Sequence, residues 1–474
     1  MELGLSSQSK KSVSSSADKL SYLPKEIISS ILSFLPVREA GRTSVLARKW
    51  RNMWASMPVL NLDVDSFSES KTDETQEFFY DWNMIIHNFV SLHEGPILGF
   101  RLQEPICFWP WDLDQWVDLI TKKGLQVFSI KRLRSHINLY TLHSSLFMCS
   151  SLVTLELVDC KLEPPPGFQG FLSLKFLSLE KSSVSDLVLE YLVSNSKMLE
   201  NLKLIDCIDL CCIMVHGLSL LSFYLKGEFL AIDLSGSLNL KRVTIHWSCI
   251  GDPRDCVLSQ VIEGLTKLDF LGFSGWTTSD IFDGALDTKM QRLSAPYNSL
   301  NVLDIELIWF AREDFMGIVY FLKNSPYLEV LRIKIDVAIE AEGSGSLKVS
   351  INEEAEDGES SETLVIKEAE NWERSEAAIN KDTEAGSNGL FWKKFNCDSN
   401  PWMGCLKIVD IKSLKGYEQV LEIAAFFLLN ANVLDVLYIK TEKPCNQDVK
   451  VEMEKRLASF PIASSHAMIA YSNS

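Results

Sequence analysis

Eleven cysteines and seven histidines are the side chains best suited to hold a metal or attack a substrate, so their spacing is weighed first. No C-x-x-C pair occurs. The closest cysteines are Cys207, Cys211 and Cys212, and an odd number of thiols scattered from Cys107 to Cys445 reads as a reduced set. That places the chain in the nucleus, the cytoplasm or both. A structural zinc needs four well-spaced ligands, which the scattered histidines do not complete, so neither metal nor cofactor is expected. Cys160 and Cys207 each fall eight residues after a leucine, Leu152 and Leu199, that opens a similar segment. Equivalent turns and core packing are the expected reading, with a reactive thiol as the alternative. His136 and His143 lie near Lys131, Arg132 and Arg134, read as solvated surface or as a small-anion site. Phe108, Trp109, Trp111 and Trp116 are read as connector and helix packing. G-x-x-x-x-G-K-[ST], G-x-G-x-x-G after a strand and G-x-S-x-G are all absent, so no phosphate cradle or nucleophile elbow is signalled. No catalytic residue is assigned.

The elements that would position such side chains follow from composition and pattern. At 474 residues, 46% apolar and 23% charged, the chain is an ordinary globular protein of several domains. A net charge of −17 opposes binding to nucleic acid or an anionic membrane. The longest apolar run, Ile423 to Leu429, is far short of the ~20 residues that cross a bilayer. Residues 1–17, seven of them serine, read as a disordered lead-in.

Between Asp18 and Met57 the pattern becomes helical. Leu20, Leu23, Pro24, Ile27, Ile28, Ile31, Leu32 and Leu35 define an amphipathic helix of about three turns that Pro36 closes. A second helix is expected over Arg38–Leu46 and a third over Ala47–Ser56, with Trp50 and Trp54 one turn apart. Forty residues are near the lower limit for independent folding, so another surface should complete the apolar face. Arg38, Arg42, Arg48, Lys49 and Arg51, opposed only by Glu39, would steer an acidic partner protein.

The residues L-P-x-E-I-x-x-x-I-L-x-x-L-P-V (Leu23 to Val37), followed by A-x-R-T-S-V-L-A-R-K-W-R-x-x-W (Ala40 to Trp54), resemble the F-box, with Gly41 as one extra residue. The resemblance implies docking on a Skp-type adaptor and, through it, a cullin. It assigns Leu23, Pro24, Ile27, Ile31, Leu32, Leu35, Pro36, Val45, Leu46 and Trp50 to that apolar surface or to its support.

Beyond residue 90 the pattern apolar-x-x-apolar-x-apolar recurs from Ile97, Leu125, Leu152, Leu174, Leu199, Leu220, Leu240, Leu268, Leu300, Leu328, Leu406 and Leu434. It suits a short strand whose alternate side chains enter a core. The intervals are 28, 27, 22, 25, 21, 20, 28, 32, 28, 78 and 28 residues. The exception contains residues 338–389, which carry 14 acidic and 4 basic side chains; removing these 52 residues turns 78 into 26. They read as a solvated insertion in one array. Helical stripes lie between strands, at Leu113, Trp116, Val117 and Ile120, at Val257, Val261, Ile262 and Leu265, and at Phe315, Ile318, Val319 and Leu322.

The expected fold class is α/β: a small three-helix F-box followed by an irregular leucine-rich-repeat solenoid, parallel strands on the concave side and helices outside. HEGPILGFRL (His93 to Leu102), DLDQWVDLITKKGLQVFSI (Asp112 to Ile130) and SSLFMCSSLVTLELVDCKL (Ser144 to Leu162) resemble plant F-box proteins with ribonuclease-inhibitor-like repeats. Cys405 to Lys440 is similar to the FBD region that accompanies them. The expected division is 18–60 F-box, 61–96 connector, 97–337 repeats, 338–389 insertion, 390–442 FBD-like repeats and 443–474 tail. The resemblance implies a non-catalytic substrate receptor of an SCF-type ubiquitin ligase, holding an unidentified target protein on its repeats. Two alternatives stand beside it, a small-ligand or hormone co-receptor and a repeat scaffold whose front helices merely cap the array.

Overall fold

A computed structural model describes residues 22–63, 76–104, 110–132, 139–248, 261–262, 264–275, 296–307, 312–335, 402–413, 417–441 and 447–473. The lead-in, the acidic insertion 338–389, Arg134, His136 and the Phe108–Trp109 pair lie outside the described residues. The chain divides into two compact units, the first running to Val184 and including Asn195–Met198, the second comprising Ser185–Ser194 and everything from Leu199.

The first unit opens on helix α1 (Lys25–Leu32), which begins directly after Pro24. Proline suits that place because its fixed φ is helix-compatible and it has no N–H to leave unpaired. Helix α2 (Val37–Arg42) begins in the same way after Pro36. The second expected helix leaves the α-helical form at Arg42 and ends in a 3₁₀ turn at Thr43–Val45, and the third is replaced by 3₁₀ turns at Arg48–Trp50 and Met53–Ser56. Ala47 adopts an extended backbone (φ −158°, ψ 157°) and Asn52 leaves the helical region, so the helical hydrogen-bond ladder cannot run through this stretch.

Beside a short parallel pair at Tyr140–Thr141 and Cys160–Lys161, five longer parallel strands follow in this unit: β1 (Val59–Asp63), β2 (Gly99–Glu104), β3 (Val127–Arg132), β4 (Thr154–Val158) and β5 (Phe176–Glu180), each paired with the next. Helices α3 (Gln76–Leu92) and α4 (Pro110–Thr121) connect the first three strands, and the short α5 (Ser144–Phe147) precedes β4.

The second unit contains α6 (Asp186–Asn195), whose last residue belongs to the first unit, a short parallel pair at Cys212–Met214 and Ala231–Asp233, and nine longer strands that pair in series. These are β6 (Asn201–Ile205), β7 (Ser222–Gly227), β8 (Arg242–Trp247), β9 (Phe270–Ser274), β10 (Val302–Leu307), β11 (Val330–Ile335), β12 (Ile408–Ser413), β13 (Val436–Thr441) and β14 (Met468–Asn473). Consecutive members pair throughout, and β11 pairs directly with β12. Helices α7 (Arg312–Asn324), α8 (Tyr417–Asn430) and α9 (Gln447–Ala458) lie between strands. The segment read as a tail thus carries a further helix and strand, and the segment read as a connector carries α3 and most of β1.

The repeat motif explains the core. In all twelve expected segments the strand starts two residues after the leading apolar residue, which is itself buried in the preceding turn, as at Leu125, Leu174 and Leu300. The second and fourth strand residues then point inward, as Leu155 and Leu157 do in β4 and Leu303 and Ile305 in β10. A strand with one apolar face cannot bury it alone, and stacking neighbours supplies the missing surface.

The turn after several strands repeats as well. Asp159, Lys181 and Asp206 occupy the left-handed region with φ of 57°, 47° and 47°. The next side chain donates back to the carbonyl two residues earlier: Cys160 Sγ to Val158 at 3.5 Å, Ser182 Oγ to Glu180 at 2.9 Å, Cys207 Sγ to Ile205 at 3.7 Å. Cys160 and Cys207 occupy equivalent turns, the first buried and the second half-buried.

Candidate protein-interaction site

The N-terminal helical module sorts its apolar residues into two sets. Ile28 and Leu32 of α1, Val37 and Ala40 of α2, and Trp50, Met53, Ala55 and Met57 beyond them are buried. Helix α1 packs on the 3₁₀ turn Met53–Ser56, where Ser29 Oγ and Ser56 Oγ lie 3.4 Å apart. The Asn61 side-chain amide of β1 donates to the Ser33 carbonyl at the end of α1 (2.8 Å), and the Lys49 ammonium donates to the Leu23 carbonyl. Trp54 meets Phe89 of α3 edge-on, with ring centroids 4.6 Å apart. The module is therefore tied internally and to the start of the first sheet.

The second set faces water. Ile27, Ile31 and Phe34 recur at i, i+4 and i+7, the spacing of one stripe on a helix, and Phe34 is 84% exposed. On the following 3₁₀ turn Val45 is 87% and Leu46 66% exposed. Pro24 and Tyr22 are also exposed, while Leu23, Leu35 and Pro36 are half-buried. A concentration of large exposed apolar side chains in so short a segment makes this face the candidate interaction surface.

The ten residues assigned from sequence thus divide. Pro24, Ile27, Ile31, Val45 and Leu46 lie on the exposed side, Leu23, Leu35 and Pro36 at the margin, and Leu32 and Trp50 inside the module. Phe34 and Tyr22 escaped the sequence reading. Phe34 sits on the Ile27–Ile31 stripe, so helical spacing alone points to it; Tyr22 precedes the periodic run and carries no such signal. Among the basic residues, Arg42 pairs with Glu39 at 2.8 Å, and Arg48 and Arg51 are exposed.

Elsewhere the chemistry-bearing residues serve the fold. His143 accepts the Ser145 N–H at the start of α5 (3.4 Å). The Asp186 carboxylate accepts the backbone N–H groups of Cys211 and Cys212 at 2.9 and 3.0 Å. Among the described residues no group of three or more His, Cys, Asp or Glu side chains is arranged to hold a metal, and no helix is long and apolar enough to cross a membrane.

A parallel-strand repeat array preceded by a helical module with an open apolar face defines the class: a leucine-rich-repeat protein with an F-box at its front. The F-box domain family matches residues 20–62, and the family described as "FBD-associated F-box protein At5g56370, LRR repeats" matches residues 113–333. The F-box/FBD/LRR-repeat protein At1g13570 of Arabidopsis thaliana is 32% identical over 327 residues, covering 67% of this chain and 76% of the relative. The FBD-associated F-box protein At5g38590, from the same plant, is 26% identical over 353 residues, 69% of this chain and 82% of the relative. A third Arabidopsis relative, F-box/FBD/LRR-repeat protein At2g26030, is 27% identical over 265 residues, 54% of this chain and 57% of the relative. The chain belongs to the F-box/FBD/LRR-repeat family.

Proposed function

We propose that this chain is the substrate-recognition subunit of an SCF-type ubiquitin ligase in the cytoplasm or nucleus. Its F-box docks on a Skp-type adaptor, which links it to a cullin, and its repeats hold the protein to be ubiquitinated. The observation that carries this reading is the exposed set Ile27, Ile31, Phe34, Val45 and Leu46, beside a module whose other apolar residues are buried. Covering that set removes apolar surface from water at about 25 cal/mol per Å², a driving force for association. A role confined to capping the array would instead bury Ile27 and Leu46 against the chain's own repeats, and both are exposed.

Catalysis in this reading is geometric. The chain contributes no acid, base or nucleophile; it raises the effective concentration of the target near a ubiquitin-charged enzyme carried by other subunits. The test is co-purification of the full chain with a Skp-type adaptor, compared with an Ile31→Asp, Leu46→Asp variant. Retention of the adaptor by the wild type and at least a tenfold loss in the variant are expected. Equal recovery of adaptor by the two proteins sinks the assignment.

A further inference from the structure

The parallel ladders of the second unit fix which side chains line up across neighbouring strands. One solvent-facing row begins with Lys226 of β7 and passes through His246, Ser274, Glu306 and Lys334 on β8 to β11. It continues through Lys412 of β12 to Lys440 of β13. Three consecutive strands thus place a lysine at the same register position, about 4.8 Å apart in the hydrogen-bonding direction. Like charges stacked in this way repel, which favours carboxylates beside them.

The row belongs to a wider charge imbalance. The solvent-facing side chains of β6 to β13 include seven cations, Lys203, Lys226, Arg242, Arg332, Lys334, Lys412 and Lys440, against three carboxylates. Those carboxylates are already in ion pairs: Asp304 with Arg332 at 3.7 Å, Glu306 with Lys334, and Asp410 with Lys440 at 2.7 Å. Lys203 lies over the Tyr224 ring and Arg242 over the Phe270 ring, contacts that leave each positive charge in place. The face is therefore positive on a chain of net charge −17.

We infer that this strand face receives an acidic segment of the target protein, laid across the row from Lys226 to Lys440. The inference rests on the reading of the repeats as the target-binding surface and supplies the chemistry of the target. Six strand spacings make the row about 29 Å long, and ten extended residues reach about 33 Å, so a segment of about ten residues suffices. Protein is preferred to nucleic acid because the overall charge repels an extended polyanion beyond the face itself.

The test uses fluorescence anisotropy with the full chain and a labelled ten-residue polyglutamate peptide, beside a Gly-Ser peptide of equal length and a single-stranded oligonucleotide. Polyglutamate should bind at least tenfold more tightly than the Gly-Ser peptide, and the affinity should fall steeply as salt shortens the screening length. A Lys226→Gln, Lys412→Gln variant should bind at least tenfold more weakly, with unchanged circular dichroism. Polyglutamate held no better than the Gly-Ser peptide, held equally by wild type and variant, or held less tightly than the oligonucleotide overturns the inference. Adaptor co-purification from the same preparation reads the ligase assignment separately, so either idea can fail alone.

Discussion

His93 Nε2 lies 2.8 Å from the carbonyl oxygen of Met57, joining the segment after α3 to the approach to β1. The ring donates to Met57, and in its neutral form Nδ1 accepts the Gly95 N–H at 3.2 Å. Glu94 N–H donates to the Ala55 carbonyl at 2.8 Å, and the Lys123 ammonium donates to the His93 carbonyl at 2.7 Å. This buried cluster pins the F-box onto the first sheet.

Burial pushes the His93 pKa below its usual 6.5, and the nearby Lys123 charge acts in the same direction. Both outweigh the Met57 and Gly95 contacts and the charge of Glu94, which favour the imidazolium. The unfolded ring takes up a proton near its ordinary pKa, whereas the folded ring does so only at lower pH. Stability from this site is therefore complete above about pH 6.5 and is lost as pH falls toward the lowered value. Urea unfolding at pH 7.5 and 5.5 should show a smaller pH dependence in His93→Gln than in the wild type. His93→Ala, which leaves the Met57 carbonyl unpaired, should cost about 1–3 kcal/mol. Identical pH dependence in the wild type and His93→Gln rules the site out.

Ile28 and Ile31 are neighbours on α1 with opposite roles. Ile28 is fully buried, so Ile28→Ala should lose about 2–5 kcal/mol of stability. Ile31 is 40% exposed, so Ile31→Ala should move the denaturation midpoint little while weakening adaptor binding. The paired measurement is urea denaturation and adaptor affinity on both variants. A stability loss at Ile31 matching that at Ile28 would contradict the division of the helix into inner and outer faces.

Ser182 is fully buried, with its hydroxyl accepting the Cys160 N–H at 3.1 Å and donating to the Glu180 carbonyl at 2.9 Å. Ser182→Ala leaves both without that partner and should destabilise the first unit by about 1–3 kcal/mol. Ser182→Cys should lose less, because Cys160 and Cys207 make the corresponding donation in their own turns. Equal losses for the two substitutions would remove the turn from the list of stabilising features.

The strands were legible because their signal is local: a leading leucine and two inward residues, repeated at intervals that one strand and its connection dictate. Two strands of the long ladder, β1 and β14, were missed for different reasons. Met57, Leu60 and Leu62 fit the pattern but adjoin the helical module, whose period masked them. Before β14 the leading position holds His466, which breaks the apolar rule. The exposed apolar face was legible only in part, because apolar periodicity marks a face without saying what covers it. Leu32 and Trp50 share the apolar character of Ile31 and Leu46, and only the packed structure separates the inner from the outer set. The third helix failed because Trp50 and Trp54 suggested a continuous turn, whereas Asn52 between them leaves the helical region.

Strands β11 and β12 pair along their whole length, and the Glu329 carbonyl accepts the N–H groups of Lys407 and Ile408 at 2.9 and 3.0 Å. The seam between them closes whatever the chain does after Ile335 and before Trp402. Closure entropy grows only with the logarithm of loop length, so excising residues 338–389 should raise stability by only about 1 kcal/mol. A urea denaturation series that instead shows a loss of several kcal/mol would mean that the excised residues support the fold. This seam is then a port in the architecture, a place where chain can be added or removed without retuning the leucine ladder. A fluorescent reporter spliced into it would ride on the array as a passenger.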